Sequence, residues 1–73
     1  MDWSGCEFVE VIPGKVSGVP LVRNSRVQAD TVLENHELGE SIEDIAYNYD
    51  LQPSEIIGVL AYASARMAMK TAG

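Results

Sequence analysis

Few side chains in this chain of 73 residues are of a type that does chemistry, and none is spaced to do it with another. His36 is the single histidine, with Glu34 and Glu37 nearby but no cysteine or second histidine at ligand spacing. Catalytic and metal sites need several converging groups, so a partly buried helical histidine is the expectation there. Cys6 is the single cysteine and sits beside Glu7, whose charge disfavours a reactive thiolate. It reads as a small apolar residue or an incidental terminal thiol. Glu43 and Asp44 are neighbours that diverge by ~100° on a helix, which spoils them as an acid/base pair and suits solvated surface. Gly14 and Gly18 fit neither a dinucleotide nor a Walker pattern and read as turn glycines. No catalytic, cofactor or metal site is expected, and the chain does not read as an enzyme.

The cations are as informative as the acids. Lys15, Arg23 and Arg26 form a basic contact patch that could meet phosphates, an acidic protein surface or solvent, with the last two favoured because three charges make a weak nucleic-acid footprint. Arg66 and Lys70 stand alone in a tail made mostly of Ala and Met. Between Asp30 and Glu55 lie eight acidic residues and no Lys or Arg, within a net charge of −6. Binding to a duplex draws much of its strength from Lys and Arg displacing counterions. Charge therefore weighs against nucleic acid as a partner, with a helix-turn-helix regulator of DNA kept as the alternative reading.

The length implies one domain over residues 1–73, near the lower limit of what folds alone. Ordering costs about 1.5 kcal/mol per residue, which apolar burial in so small a core offsets only narrowly. One cysteine excludes an internal disulfide, and one Cys with one His cannot supply the four ligands of structural zinc. Self-association is the remaining remedy, so a homodimer is expected. The apolar content of 47% suits a globular chain. No run of ~18 apolar residues could cross a membrane, and the first five residues lack the basic flank and apolar core of a signal peptide. A cytoplasmic location is the expectation.

The elements that position these residues follow from apolar spacing. Phe8 to Ile12 reads as a strand closed by Pro13-Gly14, and Pro20-Leu21-Val22 with Arg26-Val27 as a short hairpin turning on Arg23-Asn24-Ser25. This strand and hairpin segment occupies residues 7–28, followed by a three-helix bundle over 29–70. Helix one runs from about Asp30 to Leu38, with Ala29, Val32, Leu33 and His36 inward and Gly39 as its left-handed stop. Ser41 caps helix two, whose Ile42, Ile45, Ala46 and Tyr49 form one stripe. Asp50-Leu51-Gln52 makes the turn, Leu51 tucks into the core, and Pro53 opens helix three. Helix three carries the stripes Ile56-Leu60-Ala63-Met67, Val59-Tyr62-Arg66 and Ile57-Ala61-Ser64-Ala68. That exceeds what a small domain should bury, so a protein interface is expected at Val59, Tyr62, Ala63, Arg66 and Met67. The fold class is mostly α: a short N-terminal strand and hairpin, then a helix-turn-helix-like bundle.

The run from Ile12 to Val27, with Asp30-Thr31-Val32-Leu33, Gly39 to Ala46 and Leu60-Ala61-Tyr62-Ala63, resembles a small prokaryotic family, domain-of-unknown-function family 433. Its members are VapB-type antitoxins or antitoxin-like proteins. The resemblance covers about Phe8 to Ala63. It implies a homeodomain-like three-helix bundle, often dimeric, and a partner with a PIN-like ribonuclease fold that the antitoxin would bind and neutralise. It brings no catalytic residues. The family's hairpin usually reads Gly-Thr where this chain has Asn24-Ser25, and it commonly has Pro before the helix start where this chain has Gln28-Ala29. A non-enzymatic protein-interaction module is the expected function, with Arg66 reaching into a toxin's acidic metal pocket.

Overall fold

The apolar run from Phe8 to Ile12 pairs over only two residues, Val9–Glu10, which form strand β1. Its partner is Leu21–Val22, strand β2, antiparallel, with Val9 opposite Val22 and Glu10 opposite Leu21. Pro13 and Gly14 turn the chain away, leaving Val11 and Ile12 outside the ladder and exposed. A two-stranded ladder this short is not stable alone, and side chains reinforce it. Arg23 donates from Nε to the Glu7 carbonyl at 2.9 Å and from Nη2 to the Val9 carbonyl at 3.3 Å. One guanidinium thus serves two main-chain acceptors on alternate residues. These contacts belong to a computed structural model that describes the backbone of residues 1–72 and the side chains of residues 1–68.

The turn after β2 shows why Asn24-Ser25 works. Asn24 takes φ = 63°, a left-handed conformation that Asn tolerates better than most residues. The Ser25 hydroxyl donates to the Val22 carbonyl at 2.7 Å and accepts from the Val27 N–H at 3.1 Å. The Val22 N–H then reaches the Val27 carbonyl at 2.8 Å, and Leu21 bridges to Gln28.

Three helices follow: Ala29–Glu37 (α1), Ile42–Tyr49 (α2) and Pro53–Ala72 (α3). The stop of α1 is a Schellman motif on Gly39 (φ = 100°): Glu40 N–H bonds the Asn35 carbonyl and Gly39 N–H the His36 carbonyl. Ser41 caps α2 through a 3.1 Å bond from the Asp44 N–H. Asp50, in the left-handed conformation at φ = 54°, ends it, and Leu51 turns inward. Pro53 starts α3, and Glu55 reaches back to accept the Gln52 N–H at 2.9 Å, the acidic half of a capping box. The result is mostly helical: a short two-stranded antiparallel pair and then three helices.

One buried cluster joins Val9 and Val22 of the strands, Ala29 and Val32 of α1, Ile45 and Ala46 of α2, and Ile56, Val59 and Ala63 of α3. Asn35 ties α1 to α2 by donating to the Tyr49 hydroxyl at 3.1 Å. Two expectations are corrected. His36 is exposed rather than partly buried, because it stands in the last turn of α1, past the point where the stripe of Ala29, Val32 and Leu33 meets the core. The apolar excess of α3 is taken up in part by the chain itself: residues 1–8 lie over it, with Trp3 only 3% and Cys6 only 6% exposed.

Phe8 is the end of that cover, and Gly58 is the reason it fits. A Cβ at position 58 would run into the Phe8 ring. In an open helix interior Gly→Ala stabilises by about 1 kcal/mol. Here Gly58→Ala should destabilise by about 1–3 kcal/mol, the usual range for overpacking. Urea unfolding of the variant measures it, and a more stable variant would show that Phe8 does not sit there.

Candidate functional site

The basic patch is largely spoken for. Glu10 sits between Lys15 and Arg23, with Nζ of Lys15 at 3.4 Å and Nη1 of Arg23 at 3.9 Å, and it also accepts the Asn24 N–H at 3.2 Å. Among the described residues Arg26 makes no ion pair. Of Lys15, Arg23 and Arg26, only the last offers its charge undivided to a partner. This leaves little to hold a phosphate backbone, whose attraction grows with the number of cations engaged.

The interface residues expected on α3 divide into two groups. Val59 and Ala63 are fully buried beneath the N-terminal segment, and Tyr62 is half-covered by it. Arg66 and Met67 are exposed. Trp3 stacks on Tyr62, ring centres 5.9 Å apart, and its Nε1 donates to the Asp30 carboxylate at 2.8 Å. The Gly5 N–H donates to the Tyr62 hydroxyl at 3.2 Å. Arg66 lies 5.8 Å from the Tyr62 ring centre and 3.6 Å from Asp2. Arg66 therefore holds the strap with one side of its guanidinium and faces solvent with the other. The Lys70 side chain, the tail's other cation, lies outside the described residues.

What remains open on α3 is its opposite face, Ser54, Ile57, Ala61, Ser64 and Ala68, all exposed. These residues recur at helical spacing, carry no charge, and include Ile57 at 53% exposure. Two further apolar side chains stand outside the core, Tyr47 on α2 at 88% and Leu38 at the end of α1 at 84%. Sequence spacing places Tyr47 and Leu38 off the inward stripes, which was the available signal for them.

Among the described residues no three His, Cys, Asp or Glu side chains converge on a point where a metal could sit. No polar or charged side chain among them is buried, so no group is poised by desolvation for acid/base work. A depression of about 310 Å³ opens between the strap and α3, lined by Gly5, Cys6, Glu7, Phe8, Gly58 and Tyr62. Its wall brings the Glu7 carboxylate, the Tyr62 phenol and the Cys6 thiol beside the Phe8 ring and the glycine backbone. Among the described residues no helix is long and apolar enough to cross a membrane.

Among the described residues Asp2 is the group with a displaced titration. The Ser4 N–H at 2.9 Å holds its pKa below the ordinary 3.8, helped by the Ser4 hydroxyl and by Arg66. A depressed carboxylate supports the fold above its ordinary pKa and loses that support as pH falls through the folded value. Trp3 fluorescence in an acid titration should therefore show the strap loosening below about pH 3.8, and Asp2→Asn should remove that component while leaving neutral-pH helicity unchanged. Superimposable titrations of the two proteins would rule the ionic tie out as a contributor.

Against known proteins, residues 9–63 match a family model described as "Protein of unknown function (DUF433)". The fold is similar to the crystal structure of a DUF433 member protein from Anabaena variabilis, with a TM-score of 0.68 and 19% sequence identity. The similarity covers 85% of this chain and 62% of that one, so this chain spans less than two thirds of the other's length. No curated protein matches.

Proposed function

The chain belongs to the DUF433 family, and from that premise we propose that it is a non-enzymatic protein-binding module, an antitoxin-like protein that pairs with itself and neutralises a PIN-like ribonuclease. One observation carries the protein-contact reading. A helix-turn-helix protein lays the outer face of its last helix in the major groove, and here that face is Ser54, Ile57, Ala61, Ser64 and Ala68. It holds no cation to reach phosphate and no long donor to reach a base edge. An uncharged face with small residues around Ile57 suits another polypeptide, because small side chains let a helix approach closely. The acid-rich α1 and α2 on the same body repel a duplex and would favour basic protein surface.

The ribonuclease partner rests on the family resemblance and on Arg66. Nucleases of that class hold a divalent cation among carboxylates. The half-exposed guanidinium of Arg66 could enter such a pocket, exchanging Asp2 for the toxin's acids through charge-assisted bonds. A cytoplasmic location belongs to the same proposal.

Three measurements test it. Light scattering across concentrations should show a dimer for the natural protein and weaker self-association for folded Ile57→Glu, since a buried charge in an apolar contact is strongly unfavourable; unchanged association would remove the outer face of α3 from the interface. Arg66→Ala should inhibit the cognate nuclease roughly tenfold to a hundredfold less well, the usual worth of a charged hydrogen bond; undiminished inhibition would sink the Arg66 role. Random-sequence duplex at ~50 mM salt should not be retained, whereas tight retention with a steep salt slope would transfer the case to a DNA regulator.

A further inference from the structure

The cover on α3 is built differently from everything beneath it. Residues 1–8 contain turns but no helix or strand, and they precede the stretch of the chain that matches the family. Residues 1–6 are tied to the rest by Trp3 to Asp30, Gly5 to Tyr62 and the ion pair of Asp2 with Arg66, while Glu7 and Phe8 are held by Arg23 through their carbonyls. The apolar anchoring of residues 1–8 is concentrated in Trp3, Cys6 and Phe8, while a depression remains open along the strap's edge at Gly58. A large aromatic group thus plugs a seat made by the start of α1 and the middle of α3, without secondary structure to hold it in place.

We propose that this seat is a binding site for the N-terminal segment as such, filled in its own chain or in a second copy, so that two chains can associate by exchanging residues 1–8. The occupant's chemistry is fixed by the seat: an indole to stack on Tyr62 and donate to Asp30, followed by a small residue at position 5, where a Cβ would meet the Tyr62 hydroxyl at 3.1 Å and its ring carbons at 3.6 and 3.7 Å. Whatever satisfies these groups from within the chain satisfies them equally from a neighbour, which is the basis of domain swapping. Reach is sufficient. Eight extended residues span about 26 Å, against a short dimension of 18 Å for the molecule. The turn joining the strap to β1, closed by a bond from the Val9 N–H to the Cys6 carbonyl, is the hinge. This deepens the self-association in the proposed function but uses a different surface from the outer face of α3.

Trp3 is the chain's single tryptophan, which makes the test direct. Full-length Trp3→Ala has an empty seat and no indole signal. Titrating it into a synthetic peptide of residues 1–8 should shift the peptide's emission to shorter wavelength in a saturable way. A dye-labelled copy of the peptide should bind the natural protein at least about tenfold more weakly, because its seat is free in only a small fraction of molecules. Should Trp3→Ala fail to fold alone, helicity restored by the natural peptide and not by its own Trp3→Ala version supports the site, and no restoration overturns it. No saturable shift with a folded variant overturns the site. Exchange is read separately by native mass spectrometry of isotope-labelled and unlabelled Ile57→Glu chains, in which the outer face of α3 can no longer pair. Mixed dimers that vanish on adding Trp3→Ala support exchange. Monomers alone in that background, with dimers of the natural protein intact, overturn exchange and leave the α3 face standing.

Discussion

The indole of Trp3 is held from two sides, and the rest of the chain depends on that grip. Its ring stacks on Tyr62 of α3, while its N–H is fixed by Asp30 in the first turn of α1. A domain of this size has little surplus stability, so how it covers its longest helix matters. α3 carries apolar residues around most of its circumference, and α1 and α2 can cover only part of it. Burying one large side chain is worth roughly 1.5–3 kcal/mol, whereas an exposed ion pair contributes about 0–1 kcal/mol. By that comparison Trp3 and Phe8 seat the strap, and the Asp2 to Arg66 contact adjusts it.

Charge is organised by the same economy of parts. Glu10 lies on β1, next to the hairpin, and draws both Lys15 and Arg23 to itself. Arg23 is doubly committed, since it also closes the carbonyls of Glu7 and Val9. Arg66 is committed to Asp2 and the Tyr62 ring. The described cations therefore serve mostly to fold the N-terminal third, while the acids of α1 and α2 face solvent with few internal partners. Within the net charge of −6, the unpaired negative charge is therefore concentrated on the helical half.

Much of the helical half was legible in the sequence. Ser41, Gly39, Asp50 and Pro53 are local signals whose effect depends on the chain within a few residues, and each bounds its helix as its chemistry requires. Asn24 and Ser25 likewise announce their turn. What could not be read were contacts between distant parts. Nothing within a few residues of Trp3 indicates that it meets Asp30 and Tyr62, 27 and 59 positions along, and the apolar stripes of α3 do not say which will be covered from within. The best available hint was Trp3 itself, a large side chain seldom left in water. The strand was overestimated because Val11 and Ile12 have strand-like character but find no second strand beside them. His36 was misplaced because, although it continues the stripe of Val32 and Leu33, it stands in the last turn of α1, beyond the buried cluster.

The arrangement of α2 and α3 also separates a shape from a use. The three-residue turn at Asp50-Leu51-Gln52, the left-handed Asp50 and the inward Leu51 are what two helices need to cross in this way, and they concern only the buried side. The outer face of α3 plays no part in forming the turn, so it is free to carry any chemistry without disturbing the fold. In a reader of DNA that freedom is taken by Arg, Lys, Asn and Gln. In this chain it is taken by Ile57, Ala61, Ser64 and Ala68, of which only the short Ser64 hydroxyl can hydrogen-bond at all. Fold alone therefore argues nothing about nucleic acid. The residues on that face, with the acids around them, argue for a polypeptide.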